Sequence, residues 1–278
     1  MENKIMHNGV KIPQIGFGTW KAPKDEITVE AVKNALQNGY DHLDCAAVYG
    51  NEKFVGEGIK ASGRQREELF IVSKVWNSVR GYDETIAAFN QTCSDLQVEY
   101  LDQYLIHWPV PVDFKENYIA MNKETWRAME DLYLAGKIKS IGVSNFKIHH
   151  LEEIMEGSRI KPMINQIEFH PSCLDQELRD YCQKQDILVS GYSPLANGKV
   201  FECVELEEFA KKYNASVAQL CVKYAIQHHV IPLVKSVTVE RIIANLQLDF
   251  TITQEDMKAI DAITSCGGSY KDSDDINF

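Results

Sequence analysis

The 278-residue chain has seven cysteines, and no two of them form a C-x-x-C pair. An odd number of thiols scattered over positions 45, 93, 173, 182, 203, 221 and 266 suits neither a disulfide framework nor a zinc site. The pattern fits reduced thiols in a cytoplasm. Long apolar runs are missing too. Nothing approaches the ~18 uninterrupted apolar residues of a membrane span. The opening stretch, MENKIMHNGVKIPQIG, lacks the apolar segment and cleavage signature of a leader. Positive charge is scarce: 40 acids face 29 Lys and Arg, for a formal net charge of -11. Such a chain repels phosphate backbones, so no nucleic-acid partner is expected, and an anionic ligand needs a local basic site. There is no linker, low-complexity run or shift in composition. One cytoplasmic domain over residues 1–278, monomeric and independent of membranes, is therefore expected.

What is present is a rhythm. Asn8-Gly9 between alternating apolar residues signals a hairpin with a type I′ turn. Short β-rich runs follow at 15–19, 42–46, 69–75, 101–108, 138–144, 163–169, 187–193 and 230–236. Helical patterns lie between them. ETIAAFNQTCSDL is one, LEEFAKKY another, and SVAQLCVKYAIQ a third, with Ser216 and Gln219 in capping-box spacing. TQEDMKAIDAI supplies a last helix. Eight strand-then-helix units in about 250 residues predict an α/β (β/α)8 TIM barrel, its bottom closed by the N-terminal β-hairpin. A doubly wound open sheet is the competing topology. The loose G-x-G-x-x-A match at Gly56–Ala61 falls inside a helical stretch, so it does not mark a dinucleotide turn. Its glycines are expected to permit close helix–barrel packing.

Barrel chemistry gathers where strands end. The second strand ends at Asp44, with Tyr49 in its loop, and the third and fourth bring Lys74 and His107. The fifth brings Ser144 and Asn145, the sixth Gln166, the seventh Tyr192 and Ser193, and the eighth Lys235 and Ser236. Taken singly, each has a structural reading, such as an ion pair sealing the barrel or a core histidine. Together Asp44, Lys74, Tyr49 and His107 suggest proton delivery. A free phenol, with a pKa of about 10, is a poor acid near neutrality. A neighbouring ammonium is expected to lower that value, and a carboxylate behind it to keep the ammonium charged and oriented. His107 would then position a substrate oxygen. Tyr192 offers an aromatic face for a flat heterocycle, and Lys235, Ser236 and Arg241 form a basic site suited to a phosphate. Glu52 is expected simply to favour the helix dipole. Glu168 and His170 are expected on opposite sides of their strand, so no metal site is expected.

The segments GYDHLDCAAVYGNE, LFIVSKVW, EYLDQYLIHWP, IKSIGVSNF, NQIEFHP, GYSPL and KSVTVERIIAN, in that order, resemble the aldo-keto reductases, and more particularly their short-tailed bacterial and protozoan members. The resemblance runs from GVKIPQIGFGTW to the tail. It implies a (β/α)8 barrel that reduces small aldehydes and ketones with NADPH. By resemblance Asp44, Tyr49, Lys74 and His107 form a catalytic tetrad with Tyr49 as general acid. Gly18, Thr19, Trp20, Asp44, Ser144, Asn145, Gln166, Tyr192, Ser193 and Leu195 would contact the cofactor. Tyr192 would stack on the nicotinamide, and Ser144, Asn145 and Gln166 would bind its carboxamide. Lys235, Ser236 and Arg241 would hold the 2′-phosphate and Asn245 the adenine. Trp20, Trp76 and Trp108, with Tyr49 and His107, would line the substrate pocket. The chain departs from the usual pattern at Val234, at Ala244, and in the PLANGKV loop.

Two other readings of these residues stay open at this point. One is a nicotinamide-nucleotide-binding barrel without catalysis. The other is a Schiff-base lyase using Lys74 or Lys235.

Overall fold

The computed structural model describes residues 2–264, 266–268 and 271–278. Two short strands, β1 (Asn3–Ile5) and β2 (Lys11–Pro13), pair antiparallel. Eight more form a closed parallel barrel: β3 (Gly16–Gly18), β4 (His42–Asp44), β5 (Phe70–Val75), β6 (Gln103–Ile106), β7 (Ile141–Ser144), β8 (Ile164–Glu168), β9 (Leu188–Tyr192) and β10 (Ile231–Val234). They run around the barrel in chain order, and β10 closes onto β3 through Leu233 opposite Gly16. The predicted barrel is the observed one, and the open-sheet alternative is excluded.

Helices α1 (Glu26–Gln37), α2 (Glu52–Ser62), α3 (Tyr82–Leu96), α4 (Tyr118–Leu134), α5 (Ile148–Met155) and α6 (Gln176–Lys184) follow the strands. They are joined by α7 (Val204–Lys212), α8 (Val217–Gln227), α9 (Val239–Ala244) and α10 (Gln254–Asp261). The α8 capping box forms as read: Gln219 N donates to Ser216 Oγ at 3.2 Å, and Ser216 N donates to Gln219 Oε1 at 2.9 Å. Strands buried on both faces explain why their sequences read as near-continuous apolar runs. The apolar side chains of the strands and of the inward helix faces form one continuous core. All seven cysteines are free thiols, six of them buried and Cys173 partly so. No helix among the described residues is long and apolar enough to cross a membrane.

Three local expectations change. The hairpin forms, but its turn is not type I′, which needs positive φ at both central residues. Gly9 has φ 85° while Asn8 does not enter the left-handed region. Gly9 N donates to Met6 O at 2.8 Å, so the turn closes one residue earlier and glycine follows it. Asn8 Nδ2 donates to Lys139 O, just ahead of β7, and Met6 and Ile12 are buried. These contacts dock the hairpin beneath the barrel. Gly56 and Gly58 serve helix–helix rather than helix–barrel packing. A Cβ on Gly56 would lie 2.7 Å from the Leu96 carbonyl at the end of α3, and one on Gly58 2.7 Å from Val32 in α1. Glu52 does sit in the first turn of α2, but it is buried rather than solvated.

Candidate active site

The C-terminal ends of the barrel strands open into a cavity of about 910 Å³. At its base, Lys74 on β5 has no exposed surface. Its Nζ donates to Asp44 Oδ1 at the end of β4 and to Cys45 O, both at 2.7 Å. The other Asp44 oxygen accepts from Gln166 Nε2 on β8 at 2.8 Å. One carboxylate thus joins three strands, and its charge is answered on both oxygens. Residues 47–49 form a single 3-10 turn that ends at Gly50, φ 65°, and this turn carries Tyr49 over the ion pair. The Lys74 ammonium lies 5.3 Å from the centre of the Tyr49 ring. His107, just past β6, meets Tyr49 edge-on at 6.0 Å and Trp76 at 5.0 Å.

The electrostatics differ from the expectation at one point. Burial pushes the Tyr49 phenol well above its ordinary range, and Asp44, Cys45 and Glu52 add to the shift. Lys74 does not lower it, because Asp44 at 2.7 Å takes up most of the ammonium's field. His107 is held well below the usual histidine value by burial first, then by the Lys74 and Arg80 charges. Both groups are therefore neutral at pH 7: a phenol that keeps its proton and an imidazole without charge. Nδ1 of His107 has no hydrogen-bond partner among the described residues.

Beside this cluster, Asn145 follows β7 in the left-handed region, φ 63°. Its Nδ2 donates to His107 O and Ser144 Oγ, and its Oδ1 accepts from the Tyr192 hydroxyl at 2.8 Å. Asparagine tolerates this backbone better than most residues. Gly18, Trp20, Ser193, Leu195 and Lys235 also line the cavity, as do Trp76, Trp108 and Phe278. Phe278 stacks on Trp76 at 5.9 Å and meets Trp108 edge-on at 5.4 Å.

Six of the residues singled out in the sequence do not line the cavity directly: Thr19, Lys74, Ser144, Ser236, Arg241 and Asn245. Lys74 stands behind Asp44. Thr19 and Ser144 are buried and hydrogen-bond to Asp44 O and Gln166 O. The Ser236 hydroxyl is occupied by the backbone of Thr238. Arg241 is exposed on α9, and Asn245 is buried at its end.

The structure also adds residues. Arg80, between β5 and α3, is buried and donates to the carbonyls of Trp76, Val79 and Trp108 at 2.7–2.8 Å. Burial lowers its pKa to about 9. It ties together the two segments that carry the cavity tryptophans. Glu52 accepts from Ser73 Oγ at 2.5 Å and Thr92 Oγ1 at 3.1 Å, and burial raises it to about 7. Glu168 and His170 come together, with Nε2 3.3 Å from Oε1, contrary to the expectation. Residues two apart along an extended chain share a side. With Cys173 they place three ligand-type atoms within 4.8 Å of one another.

The sequence profile of the Aldo/keto reductase family matches residues 14–265. The glyoxal reductase of Bacillus subtilis is 49% identical over 93% of this chain and 91% of its own. Among solved structures, an aldo-keto reductase from a deep-sea metagenome library of the Medee basin superposes with a TM-score of 0.92. It is 37% identical and covered completely in both directions. A Bombyx mori aldo-keto reductase in complex with NADP gives 0.85, at 35% identity over 93% of this chain and 91% of that one. A closed eight-stranded barrel with a Tyr, His and buried Lys–Asp pair at one rim, matched along nearly its whole length, places this chain in the aldo/keto reductase family, as a nicotinamide-dependent oxidoreductase acting on aldehydes and ketones.

Proposed function

We propose that the chain reduces small aldehydes and ketones with NADPH, and that Tyr49 delivers the proton. The observation that carries this reading is the meeting of Tyr49, neutral His107 and the Lys74–Asp44 pair at one end of a single cavity. The cofactor, when bound, supplies hydride to the carbonyl carbon. The chain's own residues do the rest. His107 holds the substrate oxygen by a hydrogen bond, in a site where burial keeps the ring uncharged. Tyr49 gives its proton to that oxygen as negative charge develops there. A raised phenol pKa leaves the acid loaded at neutral pH, and an alkoxide is still basic enough to take the proton. The Lys74–Asp44 pair lies behind the ring, with the ammonium 5.3 Å from its centre, and holds the floor of the site in place.

The donor set suits a nicotinamide nucleotide. Gln166 Nε2 is committed to Asp44, which leaves Oε1 for a carboxamide N–H. The hydroxyl of Tyr192 is tied to Asn145, which fixes the ring as a stacking surface beside Gln166. Ser144 and Asn145 would stand with Gln166 at the carboxamide, and Gly18, Thr19, Trp20, Ser193 and Leu195 would contact the cofactor. Lys235, Ser236 and Arg241 would take the 2′-phosphate and Asn245 the adenine. Trp20, Trp76 and Trp108 would enclose the substrate. We read the chain as one domain that works as a monomer, and its free thiols suit a cytoplasmic setting.

The test is Tyr49→Phe. Reduction of methylglyoxal, followed by NADPH oxidation, should fall by about 100-fold or more, with NADPH affinity kept. Unchanged turnover would remove Tyr49 from the reaction. Borohydride trapping of a lysine adduct with the substrate alone would favour the lyase instead.

A further inference from the structure

Asp44 is the one side-chain carboxylate among the described residues lining the cavity, and it is already paired with Lys74. Against it stand four lysines, Lys21, Lys24, Lys235 and Lys271, in a chain whose net charge is -11. None of the four has a carboxylate within ion-pair distance among the described residues. A cavity so unbalanced in an acidic protein concentrates anions.

The four fall into two pairs. Lys235 follows β10 beside Gly18, and Lys21 is close enough to depress its pKa further after desolvation. That pair belongs to the end assigned above to the cofactor. Lys24 and Lys271 lie elsewhere. A Cβ placed on Gly50 would be 2.5 Å from Lys24 Nζ, so this ammonium rests on the residue next to Tyr49. Lys271 Nζ lies 4.3 Å from the centre of the Phe278 ring, which stacks on Trp76. Both are exposed at the mouth of the pocket that holds the acid.

The surroundings of Lys271 are informative. Three aspartates follow it closely in sequence, and any of them could have neutralised it. All three are held elsewhere. Asp272 pairs with Lys147, and Asp274 with Lys147 at 2.6 Å and His149 at 2.9 Å. Asp275 pairs with Lys115 at 2.7 Å. The tail's negative charge is thus drawn outward onto other cations, while its one lysine is left on the aromatic wall.

We infer that Lys24 and Lys271 select carbonyl substrates carrying a carboxylate or similar anionic group beyond the reacting carbon. The aromatic wall holds the body of the substrate, the carbonyl reaches Tyr49 and His107, and the anion stays at the mouth between the two ammonium groups. This assignment rests on the reductase reading above and adds the substrate class to it.

A matched pair of substrates tests it: para-carboxybenzaldehyde and its methyl ester, assayed with NADPH in the wild type and in Lys24→Gln/Lys271→Gln. The wild type should favour the acid in kcat/KM by about tenfold at low salt, mainly through KM, with the preference shrinking as salt rises. In the double variant the ratio should fall close to one. A wild-type ratio near one, or a ratio that survives in the double variant, would overturn the assignment while leaving the reductase intact. A double variant that binds NADPH more weakly but keeps the ratio would return the lysines to the cofactor. Oxidation of NADPH with neither aldehyde would overturn the reductase reading and this assignment with it.

Discussion

The Lys74 ammonium lies 2.7 Å from the Asp44 carboxylate, both are buried, and Gln166 holds the second oxygen of the same carboxylate. Two charges withdrawn from water hold each other in place, and breaking such a pair costs more than making it gains. Asp44→Asn should lower unfolding stability by about 3–5 kcal/mol, because Lys74 is left without its counter-charge. Urea unfolding would measure this. A loss under about 1 kcal/mol would mean that the pair behaves as a solvated one.

The barrel and its tetrad were legible because each depends on local pattern. Apolar runs end in a polar residue, and parallel strands in chain order bring those ends to one rim. Asp44, Tyr49, Lys74 and His107 needed only the strand count to be placed together. Arg80, Lys24 and Lys271 were not legible, since they reach the site from loops and tail, whose paths no periodicity reveals. Glu52 misled for a different reason. Its place in a helix's first turn was visible, but its burial depends on Ser73 and Thr92 from β5 and α3. The partners of Gly56 and Gly58 were hidden in the same way: a glycine marks a close approach without naming what approaches.

Glu52 gives a pH signature. Burial raises its folded-state pKa to about 7, above the ordinary 4.5 of the unfolded chain. The folded protein therefore binds this proton more tightly. The associated stability is present below pH 4.5 and is lost as pH rises through about 7. Glu52→Gln keeps the shape and cannot ionise. Its stability relative to the wild type should improve by on the order of 2 kcal/mol between mildly acidic and mildly alkaline pH. Thermal unfolding across that range would show the two curves crossing or converging; parallel curves would exclude a titrating Glu52.

Cofactor choice should depend on the basic end of the cavity. Lys235→Met and Arg241→Ala should each weaken NADPH by about tenfold and NADH by much less, because only NADPH carries the 2′-phosphate. Fluorescence titration with both nucleotides decides it. Equal losses would place these side chains on the part that the two cofactors share.

The α2–α3 contact at Gly56 is tight enough to be sensitive to one methyl group. Gly56→Ala would set a Cβ 2.7 Å from the Leu96 carbonyl. That overlap should cost about 1–3 kcal/mol, despite alanine's better helix propensity. Denaturant midpoints would record the loss. A gain in stability would show that α3 yields easily there.

The free thiols have a consequence for an enzyme whose substrates are electrophiles. The thiolate is the form of cysteine that adds to an electrophilic carbon. Burial pushes Cys93 and Cys266 up to about 11 and Cys173 and Cys182 to about 12, and it carries Cys45 and Cys221 higher still. Six of the seven cysteines therefore stay as inert thiols at neutral pH. The packing that keeps most of these side chains out of solvent also keeps their sulfurs from adding to the enzyme's own substrates.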